Sequence, residues 1–356
     1  MFRKNRKLII ITLALAVVAV WLVWRSRNGT VREELRDFAV KDTGAVTKIF
    51  LADRAGKNIE LEREFDAAGK PTGKWRVNKK YLARLDAVNL LLETLHNVQM
   101  RSFVASTAYN TIIRQLSTTG IKCEVYLNES DKPEKVIYVG GETQDSKGTF
   151  MMLEKSIVPF VTEVPGFDGF LTPRFFTKED EWRWKNMFNL TGEDISSVVI
   201  NYYPDSARSF RIDFRSPIDF FVSSPVSGEK IIHADTAKVV NYLSQFVDVN
   251  FEFFDFMLKQ PQRDSILHYR PRCEIIIADK GGKQKKVKFY PIQVNPFTIM
   301  KTDTTGDDAK YDTDRMYAFM NNDSELVGVQ MFVFGKFFRA LFDFDLDKKP
   351  AAKYSR

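Results

Sequence analysis

The chain has 356 residues, of which 44% are hydrophobic and 28% charged, a composition typical of a folded protein rather than a disordered one. Its net charge of +7 belongs to the two ends, because residues 1–27 carry six basic side chains, residues 348–356 carry four, and neither segment contains an acid. The rest of the chain has a net charge of −3. This charge argues against the broad basic surface that a nucleic-acid-binding protein needs.

The first predicted element is a membrane-spanning helix from Leu8 to Trp24. These residues contain no charge, Gly or Pro. As a helix they would be about 26 Å long, at the short end for a bilayer core. A cleavable signal peptide is the alternative, but its apolar core is typically ~7–15 residues and is followed by small residues. Here the apolar run is longer and ends at Trp21 and Trp24, side chains that favour the membrane interface. We therefore expect Leu8 to Trp24 to bind the lipid bilayer as an uncleaved anchor.

The basic residues on the two sides of this anchor predict its orientation. Four of them lie within residues 1–7, whereas Arg25 and Arg27 on the other side are soon followed by acidic residues. Cytoplasmic flanks are enriched in Lys and Arg. The N-terminus is therefore expected in the cytoplasm and the body in the periplasm, on the inner membrane of a Gram-negative cell.

An internal duplication predicts the fold of the body. Residues 46–51 and 195–200 each begin a run of three strands, a helix, a short second helix and four more strands. The sharpest match is between Ile121–Tyr126 and Pro271–Ile276. Hairpin-length connections indicate antiparallel pairing. The predicted fold class is α+β: two tandem copies of a mixed unit with an antiparallel sheet and one or two packed helices, after an N-terminal transmembrane helix.

The hydrophobic periodicity also gives element boundaries. In the first copy it predicts strands at 46–51, 58–63, 74–77, 121–126, 135–139, 149–153 and 160–164, and helices at 85–98 and 107–116. In the second copy it predicts strands at 195–200, 209–214, 219–222, 271–276, 285–290, 316–320 and 330–334, and helices at 239–247 and 262–267. Asp235 is the predicted N-cap of the helix at 239–247. An extra polar loop is expected at 291–314, and residues 165–194 are expected to join the copies.

These patterns divide the chain into six parts. They are a cytoplasmic basic start at 1–7, the anchor at 8–24, a juxtamembrane linker at 25–44, the first α+β repeat at 45–180, the second at 181–347, and a basic tail at 348–356.

No group of residues predicts catalysis, cofactor binding or metal binding. His96, His233 and His268 each lack a second ligand at zinc-site spacing. The adjacent carboxylates Glu179 and Asp180 lie in a charged run, which is typical of a solvated face. We therefore predict no catalytic, cofactor-binding or metal-binding residue and a non-enzymatic protein. A hydrolase with catalytic residues dispersed along the chain is the alternative.

Three further features allow two interpretations each. Cys123 and Cys273 occupy equivalent repeat positions, and are either a disulfide pair or two buried small side chains. Gly140–Thr149 is interpreted as a Gly-rich turn in preference to a phosphate loop, because the order of residues in a P-loop is missing. The acidic loop with Asp303, Asp307, Asp308, Asp312 and Asp314 is interpreted as solvated in preference to Ca²⁺-binding, because its spacing differs from that of an EF-hand.

Phenylalanine is over-used, with 30 copies, and clusters in two stretches. The expected role is core packing, and the alternative is an apolar patch that faces a partner. The two clusters are Phe251, Phe253, Phe254 and Phe256, and Phe332, Phe334, Phe337, Phe338, Phe342 and Phe344.

Four segments carry a resemblance to a known family. They are Lys4–Lys7, Phe38–Thr43, Trp75–Tyr81 and the run Tyr138–Thr143 with Gly148–Thr149. Together they resemble a bacterial envelope protein family of unknown function, related to auxiliary domains of ABC transporters linked to gliding motility. The resemblance is best over residues 38–190 and weaker through the second copy. It implies membrane anchorage and a role in an envelope assembly, and it implies no catalytic residue.

The expected function is that of a single-pass, membrane-anchored, extracytoplasmic binding or scaffold protein, accessory to a membrane complex and with a protein partner in the envelope. The alternative is a module that binds a lipid, glycan or peptide in a cleft between the repeats.

Overall fold

The structure, a computed structural model, describes residues 14–19, 36–128, 130–255, 258–293 and 310–347. Contacts between Cα atoms divide the chain into two compact units, the first ending at Trp184 and the second beginning at Lys185. Both units are mixed α+β with antiparallel sheets and a few helices, which confirms the predicted class at this level. Of the predicted anchor, only 14–19 is described, and it is helical. Among the described residues, no helix has the length and apolarity needed to cross a membrane. The tail at 348–356 lies outside the described residues.

The first unit is built on one antiparallel sheet. Its nine strands lie in the order β4-β3-β2-β1-β6-β7-β8-β9-β5. The strands are β1 (Val46–Ala52), β2 (Asn58–Phe65), β3 (Pro71–Val77), β4 (Tyr81–Leu82), β5 (Gln99–Phe103), β6 (Ile121–Leu127), β7 (Lys135–Glu142), β8 (Thr149–Leu153) and β9 (Phe160–Glu163). The helices are α1 (Leu85–Asn97), α2 (Tyr109–Thr119) and the single turn α3 (Glu179–Trp182).

The two longer helices of this unit lie against different apolar clusters. Helix α1 buries Val88, Leu91 and Leu95, which recur at helical spacing and join the main core. Helix α2 buries Ile112 and Leu116 in a separate, smaller cluster. The apolar stripe that predicted α1 is therefore the face that packs against the main core.

Two segments predicted as connections belong to the first core. Phe38 and Val40, placed in the juxtamembrane linker, are 1% and 3% exposed. Leu171, Phe175 and Trp182, placed between the copies, are also buried in this core. Both segments lack the alternation of a strand and the period of a helix, so sequence periodicity could not detect their burial.

The second unit repeats the antiparallel architecture with eight strands. Their order is β13-β12-β11-β16-β17-β18-β19-β15, and β10 pairs separately with β14. The strands are β10 (Asn186–Phe188), β11 (Ile195–Tyr202), β12 (Phe210–Ser216), β13 (Asp219–Ser223), β14 (Val249–Asn250), β15 (Phe253–Phe254), β16 (Cys273–Asp279), β17 (Gln284–Gln293), β18 (Tyr311–Met320) and β19 (Glu325–Gln330). The helices are α4 (Thr236–Leu243), α5 (Gln260–His268) and α6 (Met331–Phe334).

Two predictions for the second unit are wrong. The strand predicted at 330–334 is the short helix α6, and the last strand, β19, precedes it. The sequence of a short apolar run does not show whether it forms a strand or a helix. Here the apolar run at 331–334 forms a helix that directly follows β19. The polar loop predicted at 291–314 is shorter, because β17 continues to Gln293 and β18 begins at Tyr311. Residues 294–309, with Asp303, Asp307 and Asp308, lie outside the described residues.

The phenylalanine clusters are mainly core, as expected. Phe334, Phe337 and Phe344 are at most 2% exposed, and they pack with Phe210 and Phe246 in the second core. The exception is Phe332, which is 96% exposed. Phe256 lies outside the described residues.

Candidate ligand-binding groove of the second unit

The three histidines each have a local structural partner. His96 Nδ1 lies 3.2 Å from the carbonyl oxygen of Val40, and His268 Nδ1 lies 2.7 Å from that of Asp264. His233 is exposed and pairs with a single carboxylate near the end of the described chain. Within the described ranges, no cluster of three or more His, Cys, Asp or Glu side chains is placed to hold a metal ion.

Both cysteines are buried free thiols within their own units. Cys123 lies opposite Leu51 near the end of β1, and Cys273 lies opposite Tyr202 at the end of β11. Burial raises the pKa of the Cys123 thiol far above its usual value, and raises that of Cys273 to about 12. The thiols are therefore apolar core side chains, and the disulfide interpretation is wrong.

Within the Gly-rich segment Gly140–Thr149, residues 143–148 form a turn between β7 and β8, as predicted, whereas Gly140 and Gly141 lie in β7. The Thr143 N–H donates to the Gly148 carbonyl at 2.9 Å, and the Ser146 N–H donates to the Thr143 carbonyl at 2.9 Å. The Thr143 hydroxyl donates to the Asp145 carboxylate and holds the pKa of that carboxyl at about 2. The hydroxyl and the carboxylate of this turn therefore bond to each other.

A buried carboxylate, Glu274 on β16, is compensated by its neighbours. Its side chain is 4% exposed, and Lys286 Nζ lies 2.8 Å from Oε1. The Asn201 amide donates to Oε2 at 3.3 Å, and the Tyr203 hydroxyl donates to it at 3.4 Å. The cation and the two neutral donors offset the free-energy cost of burying this carboxylate, as in a structural ion pair.

The feature best suited to bind a ligand is a groove of about 330 Å³ in the second unit. This volume is at the lower end of the range for small-molecule sites. One wall is α4 with the 3-10 turn Ser244–Phe246 that follows it, and the other is the segment 339–344. The groove is lined by Lys238, Asn241, Tyr242, Gln245, Arg339, Phe342, Asp343 and Phe344.

Hydrogen bonds at both ends fix the two walls to each other. The Asp235 N–H donates to the Phe344 carbonyl at 2.8 Å. The Asp235 carboxylate also caps α4, as predicted, by accepting the Lys238 N–H at 3.1 Å. The buried Tyr242 hydroxyl donates to the Phe337 carbonyl at 3.2 Å. Burial raises the pKa of Tyr242 well above its usual value, so the hydroxyl stays protonated. The groove is therefore preformed.

Three polar side chains of the groove have no partner in the described part of the chain. Gln245 Oε1 is buried and accepts no hydrogen bond there. No hydrogen bond or salt bridge from the same part reaches the Arg339 guanidinium or the Asn241 amide, but both residues are exposed, so of the three only Gln245 Oε1 is a buried atom without a partner. Lys238 has a weak ion pair, 3.4 Å from Asp235. A buried polar atom without a partner costs free energy that a ligand can recover.

The first unit presents a different arrangement at its helix α1. Thr94 is fully buried there, and Arg174 Nη1 donates to its hydroxyl oxygen at 2.8 Å. The Arg174 guanidinium also lies 4.1 Å from the ring centroid of Phe167, and burial lowers the pKa of Arg174. The chain's own arginine thus satisfies the polar group on α1, whereas Gln245 beside α4 remains unpaired.

Sequence reasoning named Phe342 and Phe344, with core packing as their expected role, and it did not identify the polar residues of the groove. Gln245 follows a helix whose apolar stripe was recognised, and Arg339 lies within a stretch interpreted as core. Glu179 and Asp180, which were considered, lie on α3, where Glu179 accepts a hydrogen bond from Asn78 at 2.8 Å. The signal that was available is the polar pair Asn241 and Gln245, spaced i and i+4 beside the apolar stripe.

No known family profile, curated protein or solved structure matches this chain.

Proposed function

We propose that this chain is a membrane-anchored, extracytoplasmic binding protein of the cell envelope, non-enzymatic and accessory to a membrane complex. The observation that carries the binding role is the groove of the second unit. Its walls are held by hydrogen bonds, yet Gln245 Oε1 is buried without a partner in the described chain and the Arg339 guanidinium has no counter-ion there. Preformed polar groups beside aromatic side chains are typical of binding sites.

The groove offers little support for the hydrolase alternative. Its carboxylate, Asp343, accepts the Ala340 N–H at 2.9 Å and stabilises the local turn. The three histidines are not among the lining residues, so a carboxylate–histidine pair for acid–base chemistry does not occur in this groove. Binding is therefore the better proposal.

The proposed anchor rests on the apolar run from Leu8 to Trp24. Within the described part of that run, Leu15, Val17 and Val18 are 62%, 63% and 50% exposed. Exposed aliphatic side chains on a helical segment favour an apolar environment such as lipid. The resemblance to envelope proteins supports the same location.

Fractionation and fusion reporters test this placement. We expect the full chain to remain with membranes after alkaline carbonate extraction. Alkaline phosphatase fused after Arg356 should be active, because that enzyme needs an oxidising compartment. A protein found in the soluble fraction, or an inactive fusion, would contradict the placement.

We also propose that the two units are tandem copies of one ancestral unit. Equivalent hydrogen bonds support this. In the first unit the Arg84 N–H donates to the Trp182 carbonyl at 2.8 Å, as Asp235 does to Phe344 in the second. Each pair is flanked by an isolated β-bridge, between Ala83 and Arg183 and between Ala234 and Asp345.

A short sequence motif supports the same proposal. Phe170–Phe176 and Phe332–Phe338 both read Phe-x-x-Pro/Gly-Arg/Lys-Phe-Phe, and each contains a 3-10 turn, at Thr172–Arg174 and at Gly335–Phe337. The strand orders agree as well, since β3-β2-β1-β6-β7-β8-β9 and β13-β12-β11-β16-β17-β18-β19 connect in the same way. A crystal structure whose halves do not superimpose would contradict the duplication.

A small-ligand module is the second candidate function. The groove favours it, because its volume suits a small molecule or a short peptide segment. The cleft predicted between the copies stays a prediction.

Affinity purification of the full chain from membranes, in mild detergent, tests the binding function. Wild type should recover a specific partner, which Arg339→Gln should lose and Arg215→Gln should keep. Arg215 is an exposed arginine of the second unit outside the groove, so it is a matched control. Recovery of the chain alone, or the same partners with Arg339→Gln, would contradict the proposal.

A further inference from the structure

We infer that the groove of the second unit binds the C-terminal end of a peptide, with the terminal carboxylate at Arg339. This inference rests on the proposed binding function and names its ligand class. Two of the residues that line the groove, Arg339 and Lys238, are cationic, and Asp343 is the single carboxylate among them.

The unpaired guanidinium selects an anion. Arg339 has no salt bridge or side-chain hydrogen bond within the described residues, although the Tyr202 hydroxyl holds its backbone carbonyl at 2.7 Å. The backbone of this arginine is therefore fixed while its guanidinium is unpaired. A guanidinium pairs with a planar carboxylate through two parallel hydrogen bonds, which makes a carboxylate a specific ligand for it.

The unpaired amide oxygen selects a donor. Gln245 lines the groove, and its Oε1 is buried without a hydrogen bond in the described chain, so rotation of the side chain toward the groove would let this oxygen accept an N–H or O–H from a ligand. Inorganic phosphate has O–H donors, but it has no apolar body to fill the aromatic side of the groove, and its charge of about −1 to −2 at neutral pH is repelled by Asp343. A ligand with a carboxylate and a nearby N–H satisfies both groups, and a peptide C-terminus has these two groups in adjacent positions.

The aromatic wall selects an apolar body. Phe342 and Phe344 line the groove beside Tyr242, and the rings of Tyr242 and Phe344 are held edge to face, 5.5 Å apart. These rings suit a peptide whose last side chain is apolar. The volume of about 330 Å³ suits two or three terminal residues rather than a longer segment.

Titration calorimetry on the full chain in detergent micelles tests the inference. The probes are acetyl-Ala-Ala-Phe with a free carboxylate, its C-terminal amide, and inorganic phosphate. We expect the free acid to bind at least tenfold more tightly than the amide, and phosphate not to compete. Arg339→Gln should abolish the preference for the acid, and Arg339→Lys should keep part of it. Gln245→Leu should weaken both peptides, whereas Arg215→Gln should change neither.

Several outcomes would overturn the inference. They are equal binding of acid and amide, no binding of either at millimolar concentration, or an unchanged preference in Arg339→Gln whose thermal unfolding matches wild type. If the peptides fail but affinity purification still loses its partner with Arg339→Gln, the peptide class is wrong and the proposed binding function stands. If both fail, the groove is not a binding site.

Discussion

The ring of Phe253 lies over Gly328, its cross-strand partner between β15 and β19. A Cβ atom on residue 328 would lie 2.2 Å from Phe253 Cζ, far inside van der Waals contact. The aromatic ring of Phe253 covers the backbone of this strand glycine and leaves no room for a side chain at residue 328.

Gly328→Ala is expected to lower the free energy of unfolding by about 1–3 kcal/mol, because the added methyl overpacks the site. The measurement is denaturant unfolding followed by circular dichroism. Gly141→Ala on β7 is the control, since a Cβ there meets nothing within 4 Å. Combining Gly328→Ala with Phe253→Leu should restore part of the loss. Equal stability of Gly328→Ala and Gly141→Ala would show that the ring does not restrict residue 328.

Thr94→Val is expected to destabilise the protein by about 1–3 kcal/mol. The Thr94 hydroxyl accepts from Arg174 and donates to the Leu90 carbonyl at 2.6 Å, so its removal leaves a partly buried guanidinium without its partner. Ser117→Ala is the matched control, because that exposed hydroxyl only donates to a carbonyl of its own helix, at 2.8 Å. A loss no greater than that of the control, in the same unfolding assay, would refute this role of Arg174.

Lys286→Met is expected to cost about 1–2 kcal/mol at neutral pH. The substitution leaves the Glu274 charge in a side chain that is 4% exposed, and the estimate is modest because Lys286 is half-exposed. Glu274→Gln should cost less, and adding it to Lys286→Met should recover stability. Denaturant unfolding of the single and double variants measures these differences, and a double variant no more stable than Lys286→Met would exclude the unpaired charge as the cause of the loss.

The buried thiols predict a loss of stability in alkali. Because burial raises the pKa of Cys273 to about 12, the folded state keeps its proton while the unfolded thiol ionises near pH ~8.5. The folded state therefore binds more protons above that pH, and its stability falls as pH rises from about 8.5 toward 12. In this range each buried thiol lowers the free energy of unfolding by up to about 1.4 kcal/mol for every unit of pH increase.

Unfolding between pH 8.5 and 10 measures this slope, which Cys273→Ala should reduce. In the same range both thiols should react with an alkylating reagent only after denaturation, because each is buried. Rapid alkylation of the folded protein, or a disulfide found by mass spectrometry, would contradict this description of the two cysteines.

The strands and helices with a clear alternation or helical spacing of apolar residues could be predicted from the sequence. The run Thr149–Leu153 alternates core-facing residues and matches β8 at both ends. Helix α4 has its Asp235 N-cap as predicted. The edge strand β5 escaped detection because most of its residues are exposed, so no apolar alternation marks it.

The candidate groove could not be predicted in the same way. Gln245 and Arg339 lie on elements distant in sequence, which are brought together by tertiary contacts such as the hydrogen bond between Asp235 and Phe344. The unpaired state of Gln245 Oε1 depends on which atoms surround it, and no local pattern contains that information. Sequence periodicity shows which face of each element is apolar. It does not show which elements lie side by side, and the groove lies between two of them.

The burial of Phe38 fixes the point at which the chain enters the core of the first unit. Only 13 residues separate Trp24 from Phe38, and even a fully extended chain of that length covers only about 45 Å. If Leu8 to Trp24 cross the bilayer, the first sheet works close to the lipid headgroups, within reach of the periplasmic parts of inner-membrane neighbours. Under the proposed anchoring, a partner of the first unit would therefore be sought among proteins of that same membrane.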